Sequence, residues 1–343
     1  MQEIYNLINQ LERRQPSLKA DLIDFFRTNK ECKIIDSHNT ASIIIVFNDA
    51  GVRYVLKIEC GQDSATTREL QWYNQYSLPG IESIFIEGDV FDHFSYIVMR
   101  YIDNIETLAD VTFNNSVRLR SISRWVDIAF YSDLKLFNST RRHRSPRMQY
   151  LDAHVKFKRR MEEASQFPFL KELIDCGHIN VNDKAYFSPP KILNYIYSNQ
   201  ILIEKIFTHQ VGIIHGDLHI GNIALSSSFQ GNLTVLDPGS AYLFPIQYDG
   251  GKVLQSVHSG YEQIMRGMYT LKTTGSNSYN LIIDSINDLD SVYAHIFTGS
   301  LFMEAMHFLT MAPHHASNPN ESIELYLTGV RLLNNLIDSL ELN

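Results

Sequence analysis

The chain opens with apolar residues at helical spacing: Ile4, Leu7, Ile8 and Leu11, then, beyond Pro16, Leu22, Ile23 and Phe26. That period predicts two short amphipathic helices between Met1 and Thr28. The texture then changes. Ala41–Asn48 and Val52–Cys60 are rich in β-branched and aromatic residues and are separated by Asp49-Ala50-Gly51, which predicts a strand, turn, strand hairpin. Ser64–Tyr76 is polar with Leu70, Trp72 and Tyr73 and predicts a helix, and two further strands are expected near Ser83–Glu87 and Tyr96–Tyr101. After Asp103-Asn104 helical spacing dominates to the C-terminus, interrupted by one β-rich patch between Gly212 and Ala241. The sequence holds no internal repeat or low-complexity tract. The fold class expected is α+β with two lobes. Residues 1–102 form a small lobe of N-terminal helices and antiparallel sheet, and residues 103–343 form a larger, mainly helical lobe.

Composition narrows the class. Of 343 residues 44% are hydrophobic and 20% charged, with a mean hydropathy of -0.16, enough apolar material for a sizeable core. The longest apolar runs, such as Ile43–Phe47, fall far short of the ~20 residues of a membrane helix. Met1–Gln10 lacks the basic start and apolar stretch of a secretory signal. Cys32, Cys60 and Cys176 have no CxxC spacing and cannot all pair, which points to a reducing compartment. A cytoplasmic protein without a membrane partner is expected. The net charge of -8 and pI of about 5.9 speak against nucleic acid as a partner.

Charge is unevenly distributed. Residues 223–343 hold eleven Asp and Glu against four Lys and Arg, whereas residues 110–163 hold twelve Lys and Arg against six acids. The basic stretch contains Arg141-Arg142-His143-Arg144 and Lys158-Arg159-Arg160. Either it meets something anionic, a protein partner included, or it is a solvated helix face. His314-His315 do not read as a metal site, because adjacent residues on a helix diverge and no partner lies at i+4.

Chemistry concentrates in two segments. Ile213-Ile214-His215-Gly216-Asp217-Leu218-His219-Ile220-Gly221-Asn222-Ile223 is followed by Leu233-Thr234-Val235-Leu236-Asp237-Pro238-Gly239. Phosphoryl transfer needs a carboxylate to orient and deprotonate an attacking hydroxyl, and hard oxygen ligands for Mg²⁺. An Asp and an Asn five residues apart on one loop, with an Asp ending a nearby apolar strand, supply those groups.

His-Gly-Asp-Leu-His-x-Gly-Asn before a strand ending in Leu-Asp resembles the aminoglycoside phosphotransferase and choline kinase family, relatives of the protein kinases. The resemblance implies a bilobal protein-kinase-like fold, with the nucleotide on the small lobe and ATP and Mg²⁺ as cofactors. It makes Asp217 the catalytic base and Asn222 and Asp237 the magnesium ligands, and it puts Asp249 where many members brace the catalytic loop. Upstream, Val55-Leu56-Lys57-Ile58 resembles the strand whose lysine reaches the α- and β-phosphates, and Glu69, twelve residues on, would hold Lys57. Tyr96–Ile102 resembles the kinase hinge. By that likeness Met99 borders the adenine pocket, and the Arg100 carbonyl and Ile102 amide read the adenine edge. The loop over the phosphates, Asp36–Ser42, departs from the protein-kinase pattern by having no glycine. Thr40 and Ser42 are the candidates for phosphate contact there, with a plain turn as the alternative reading.

The motifs leave the acceptor open. His219 stands where protein kinases acting on Ser or Thr commonly carry a lysine, which favours a hydroxyl on a small molecule, whether aminoglycoside, aminoalcohol or sugar. The acidic C-terminal region suits a cationic acceptor, and the basic stretch 118–160 points the other way. Asp237-Pro238, Ala241, Pro245, Asp249 and Gly251 resemble the spacing of methylthioribose kinases. Two other functions remain: a protein kinase with a protein acceptor, and a catalytically silent pseudokinase that serves as a binding module.

Overall fold

A computed structural model describes residues 2–27, 32–35, 42–114, 119–226, 232–284 and 298–341. They divide into two compact units, one spanning 1–106 and 224–242, the other 107–223 and 243–343.

In the first unit, α1 (Gln2–Arg14) and α2 (Lys19–Arg27) bury the apolar stripes read from the sequence. Ile4, Leu7, Ile8 and Leu11, with Leu22, Phe25 and Phe26, join Ile43, Ile45, Leu56 and Ile58 in one core. The sheet consists of β1 (Cys32–Ile35), β2 (Ile43–Asp49), β3 (Val52–Cys60), β4 (Phe85–Val90) and β5 (Phe94–Arg100). They lie in the order β1-β2-β3-β5-β4, with every pairing antiparallel. Successive side chains of a strand point to opposite faces. Leu56, Ile58, Tyr96 and Val98 therefore face the α1–α2 core, while Ile97 and Met99 join Leu70 and Ile84 in a second core on the other side. Leu70 belongs to α3 (Ala65–Gln75), so alternation alone puts Lys57 on the face that α3 covers. The sequence pattern had not indicated β1, which lies before residues 36–41, outside the described residues.

From β6 (Ile105–Thr107) the chain enters the second unit through α4 (Leu108–Asn114) and α5 (Leu119–Thr140). There follow β7 (Arg142–His143), α6 (Pro146–Ala164), α7 (Pro168–Asp175), β8 (His178–Val181), β9 (Lys184–Phe187), α8 (Pro189–Ser198), α9 (Gln200–Ile206) and β10 (Gln210–Ile213). After β10 the chain runs through β11 (Ile223–Ser226) and β12 (Asn232–Val235), which share a sheet with β6. The final stretch contains β13 (Leu243–Phe244), α10 (Gln247–Val257), α11 (Tyr261–Met265), β14 (Tyr269–Gly275), β15 (Ser278–Ile283), α12 (Thr298–Met311) and α13 (Pro319–Glu341). Nearly every residue of α12 is buried, as a helix apolar on all sides must be. It lies in a core with Tyr150, Phe302, Phe308, Tyr326 and Leu333.

The larger lobe is mainly helical, as expected, and beyond the patch at 212–241 it holds a sheet that the sequence pattern had not indicated. β14, β15, β8 and β9 form a four-stranded sheet in that order, with β15 and β8 parallel. The β8–β9 turn is Asn182-Asp183, both in the left-handed region with φ of 51° and 63°, as a two-residue hairpin requires. No helix among the described residues is long and apolar enough to cross a membrane.

Helix α10 carries Asp249 and approaches α12 through Gly250 and Gly251. A Cβ at position 251 would meet the Met303 Cβ at 2.6 Å and the Glu304 backbone nitrogen at 2.7 Å. Helix propensity by itself would make Gly251→Ala stabilising by about 1 kcal/mol, whereas overpacking typically costs about 1–3 kcal/mol. Gly251→Ala is therefore expected to destabilise on balance. Urea unfolding reads the sign, and a more stable variant would refute this packing account.

Candidate active site

In the first unit Lys57 is 9% exposed and its Nζ lies 2.6 Å from Glu69 Oε2 and 2.8 Å from Asp237 Oδ1. Burial works against the ammonium, but the two carboxylates, Asp237 first, outweigh it and lift its pKa above the ordinary lysine value. Burial pushes the Glu69 carboxyl upward, against the pull of Lys57. A cation between two acids keeps its charge, so the raised lysine describes this cluster.

The cluster is built locally. Ser64 caps α3 by accepting from the Thr67 amide, and its hydroxyl lies 2.7 Å from that of Ser95. Glu59, at the end of β3, accepts from the Thr66 amide at 3.0 Å and the Thr66 hydroxyl at 3.1 Å, a carboxylate at a helix N-terminus where the dipole favours it. Both contacts fix α3 and with it Glu69. Asp237 has φ of 53°, a left-handed conformation made costlier by the proline that follows. Strain of this kind, about 1–3 kcal/mol, persists where surrounding contacts over-determine it. Here it presents the half-exposed Asp237 carboxylate to Lys57.

The other residues singled out in this unit are less concentrated. Ser42 is 2% exposed and its hydroxyl donates to Glu59 at 3.4 Å, and Thr40 lies outside the described residues. Met99 and Ile102 are buried in the core with Leu70 and Ile97. The Arg100 amide donates to the Ile84 carbonyl, and its guanidinium pairs with Glu82 at 2.8 Å.

In the second unit the loop after β10 carries Asp217. Gly216 has φ of 86°, which a side chain would strain, and its amide donates to Asp249 Oδ2 at 2.7 Å. The Leu218 amide donates to Asp249 Oδ1 at 3.3 Å, so one carboxylate spans the residue between them. The His215 amide donates to Asp133 Oδ1 at 2.7 Å, from α5. Neither Asp133 nor Asp249 has exposed surface. Burial raises both, Asp249 to about 6 and Asp133 well above the usual range, where the neighbouring Asp249 charge adds to it. Repulsion between the two makes the pair retain a proton to higher pH than a free aspartate, with Asp133 raised further because Asp249 accepts two amides.

The Asn222 side-chain amide donates to the Asp217 carbonyl at 3.0 Å and to its Oδ2 at 3.3 Å, leaving the Asn222 amide oxygen as a hard donor. His219 caps the short 3₁₀ turn Ile220–Asn222, its Nδ1 accepting from the Gly221 amide at 3.1 Å. A Cβ at Gly221 would meet that ring at 2.7 Å, so the loop needs glycine there. Lys252 Nζ lies 2.9 Å from Asp217 Oδ1, and its side chain is 13% exposed. Burial alone would raise the Asp217 carboxyl; Lys252, with His219 and His215, overrides it and holds Asp217 well below the usual carboxylate range.

Sequence reasoning missed Lys252, Asp133 and Glu59. Lys252 lies three residues beyond Asp249, a helical spacing that would have put both on one face of α10. Asp133 carried no local signal, because its partner is 82 residues away.

Among the described residues no three His, Cys, Asp or Glu are grouped to hold a metal. Magnesium usually takes only one or two protein carboxylates and fills its shell from phosphates and water. Asn222 in the second unit and Asp237 in the first each offer an oxygen donor of the hard kind that magnesium takes.

Solved structures are similar to this chain. A thermostable mutant of aminoglycoside phosphotransferase APH(4)-Ia, in ternary complex with AMP-PNP and hygromycin B, is similar with a TM-score of 0.51 at 10% identity, over 90% of this chain and 94% of that one. The microcompartment-associated aminopropanol kinase gives 0.45 at 13% identity, over 90% and 93% of the two chains. Spectinomycin phosphotransferase APH(9)-Ia, in complex with ADP and spectinomycin, gives 0.44 at 10%, over 89% and 93%. No family model matches the chain, and no curated protein matches it in sequence. The likeness to the first of these establishes the protein-kinase-like fold of the aminoglycoside phosphotransferases.

The shared proton gives a pH-dependent stability of known sign. An unfolded aspartate has lost its proton above about pH 4, whereas the folded pair keeps one, so the native state binds more protons and stability falls as pH rises, by up to about 1.4 kcal/mol per unit. Asp133→Asn mimics the protonated acid and is expected to fold with a flatter stability profile between pH 4.5 and 8. Thermal melts across that range give the comparison, and identical slopes would remove the shared proton from the account. Asp249→Asn, left with one oxygen for two amides, is expected to cost about 1–3 kcal/mol.

Proposed function

We propose that the chain is an ATP-dependent phosphotransferase that moves the γ-phosphate of Mg-ATP to a hydroxyl of a small molecule. The observation that carries this reading is the buried Lys57 ammonium held between Glu69 and Asp237. Burying one cation with two anions is costly for a scaffold and yields nothing to it, whereas a phosphate-binding site needs a fixed, charged lysine.

In this reading Lys57 engages the nucleotide phosphates, and Glu69 keeps its ammonium aimed. Arg100 and Ile102 offer their backbone carbonyl and amide to the adenine edge, beside Met99. Asn222 and Asp237 would hold magnesium, which when bound would supply positive charge against the negative charge that develops on the transferred phosphate. Asp217 is the catalytic base. Lys252 holds one of its oxygens and the Asn222 amide lies 3.3 Å from the other, so the acceptor hydroxyl meets a carboxylate of fixed orientation. Its low basicity suits a loose transition state, in which the base orients the nucleophile and takes the proton late.

Two variants test the assignment in an ADP-release assay with Mg-ATP and pooled alcohols. Asp217→Ala is expected to lose at least a hundredfold in kcat, in keeping with general-base contributions of about 10²–10⁴, while still binding AMP-PNP. Full activity in that variant would sink the base assignment. Asp237→Ala is expected to lose magnesium-dependent AMP-PNP binding in calorimetry, and an unchanged affinity would remove it from the metal site.

A further inference from the structure

The second unit surrounds Asp217 with more positive charge than one carboxylate needs. Lys252 is paired with it. Lys156, on α6, reaches the neutral Tyr248 hydroxyl at 2.8 Å and lies 5.0 Å over the Tyr248 ring. Arg160, one turn further along α6 and 22% exposed, binds Glu163 through one terminal nitrogen at 2.5 Å. Its Nε is buried with no hydrogen-bond partner among the described residues. His307 packs edge-on against Tyr248, at 4.5 Å between ring centres, and accepts no share of this charge, because burial and then Lys252 and Lys156 keep it neutral. Lys252, Lys156 and Arg160 thus share this neighbourhood with Asp217, Glu163 and the buried Asp249, and among the described residues no carboxylate pairs with Lys156.

From this cluster we infer that the acceptor is an alcohol that also carries an anionic group, a carboxylate or a phosphate, engaged by Lys156 and Arg160 while its hydroxyl meets Asp217. The inference rests on the phosphotransferase reading and names the substrate class of that site. A cationic acceptor would meet like charge at close range, which disfavours it strongly in a partly desolvated setting. Among the described residues no carboxylate pairs directly with Lys156: burial, then Lys252, Arg160 and Arg159, hold its pKa down to about 8 against the pull of Asp217. An arriving anion would relieve that destabilisation, and Arg offers the planar fork that carboxylate and phosphate favour. The acidic composition of residues 223–343 does not bear on this, since the charge beside Asp217 is set by α6 and α10 and not by the regional count.

The test compares matched acceptor pools under Mg-ATP: neutral sugars and polyols, sugar acids and hydroxy acids, sugar phosphates, and cationic aminoglycosides and aminoalcohols, each against Asp217→Ala. Asp217-dependent turnover is expected in an anionic pool, the hydroxy-acid and sugar-phosphate arms separating carboxylate from phosphate. Lys156→Met should raise KM for that acceptor at least tenfold with kcat changed less than threefold, and Lys156→Arg should recover most of the loss. Arg160→Gln serves where Lys156→Met does not fold. Turnover confined to neutral or cationic pools overturns the inference and leaves the kinase reading intact. Should every pool stay silent while AMP-PNP binds, calorimetric titration with glycerate and with inorganic phosphate decides. Binding weakened tenfold by Lys156→Met upholds the anionic subsite, and binding absent or indifferent to Lys156 overturns it. Failure of AMP-PNP to bind would instead sink the phosphotransferase reading.

Discussion

Two carboxyl groups without exposed surface hold the loop on which the proposed chemistry depends. Asp249 accepts the amides of Gly216 and Leu218, and Asp133 accepts that of His215. Between them they satisfy three backbone donors that flank Asp217, at positions 215, 216 and 218, outside any strand or helix. The loop is thereby rigid without regular secondary structure, and the Asp217 side chain is left for other partners. Every other feature of this neighbourhood, from the Asn222 amide to the histidine cap, sits on a backbone that these two groups determine.

Both units solve the same electrostatic problem in the same way. A lysine is drawn out of water and kept charged by carboxylates: Lys57 by Glu69 and Asp237 in the first unit, Lys252 by Asp217 in the second. Removing one partner from such a pair leaves an uncompensated buried charge, which is far more costly than the pair is beneficial. These lysines are accordingly poor candidates for mere stabilisers. Lys156 is the exception, a part-buried ammonium whose hydrogen-bond partner is a hydroxyl. Charge that a fold leaves uncompensated beside the proposed catalytic carboxylate is the property that a complementary ligand can use.

Much of the architecture was readable because it is periodic. The α1 and α2 stripes, the β2–β3 hairpin around Asp49-Ala50-Gly51 and the alternation that turns Lys57 toward α3 are local properties. The sheet of β8, β9, β14 and β15 was not read, though Asn182-Asp183 and the alternation of Tyr269, Leu271, Leu281 and Ile283 signalled hairpins. The parallel pairing of β15 with β8 joins residues nearly a hundred positions apart and had no local signal. Lys57 and Glu69 were likewise identified by motif and order, and the structure brings them together; the roles given to Thr40 and Ser42 rested on resemblance alone.

What the sequence determined by itself was the set of reactive groups and the local geometry that presents them. Gly216 permits a backbone course that a side chain would strain, Gly221 leaves room for the His219 ring, and a strand turns alternate side chains the same way wherever it lies. What only the tertiary structure decided was the charge around those groups. Asp133 lies 82 residues from the amide it accepts, and Lys156 lies 92 from Tyr248. The field at Asp217 comes from whichever side chains the fold places within a few ångströms and shields from water. A regional count of acids and bases does not record that, because it weighs a solvated surface residue and a desolvated neighbour equally.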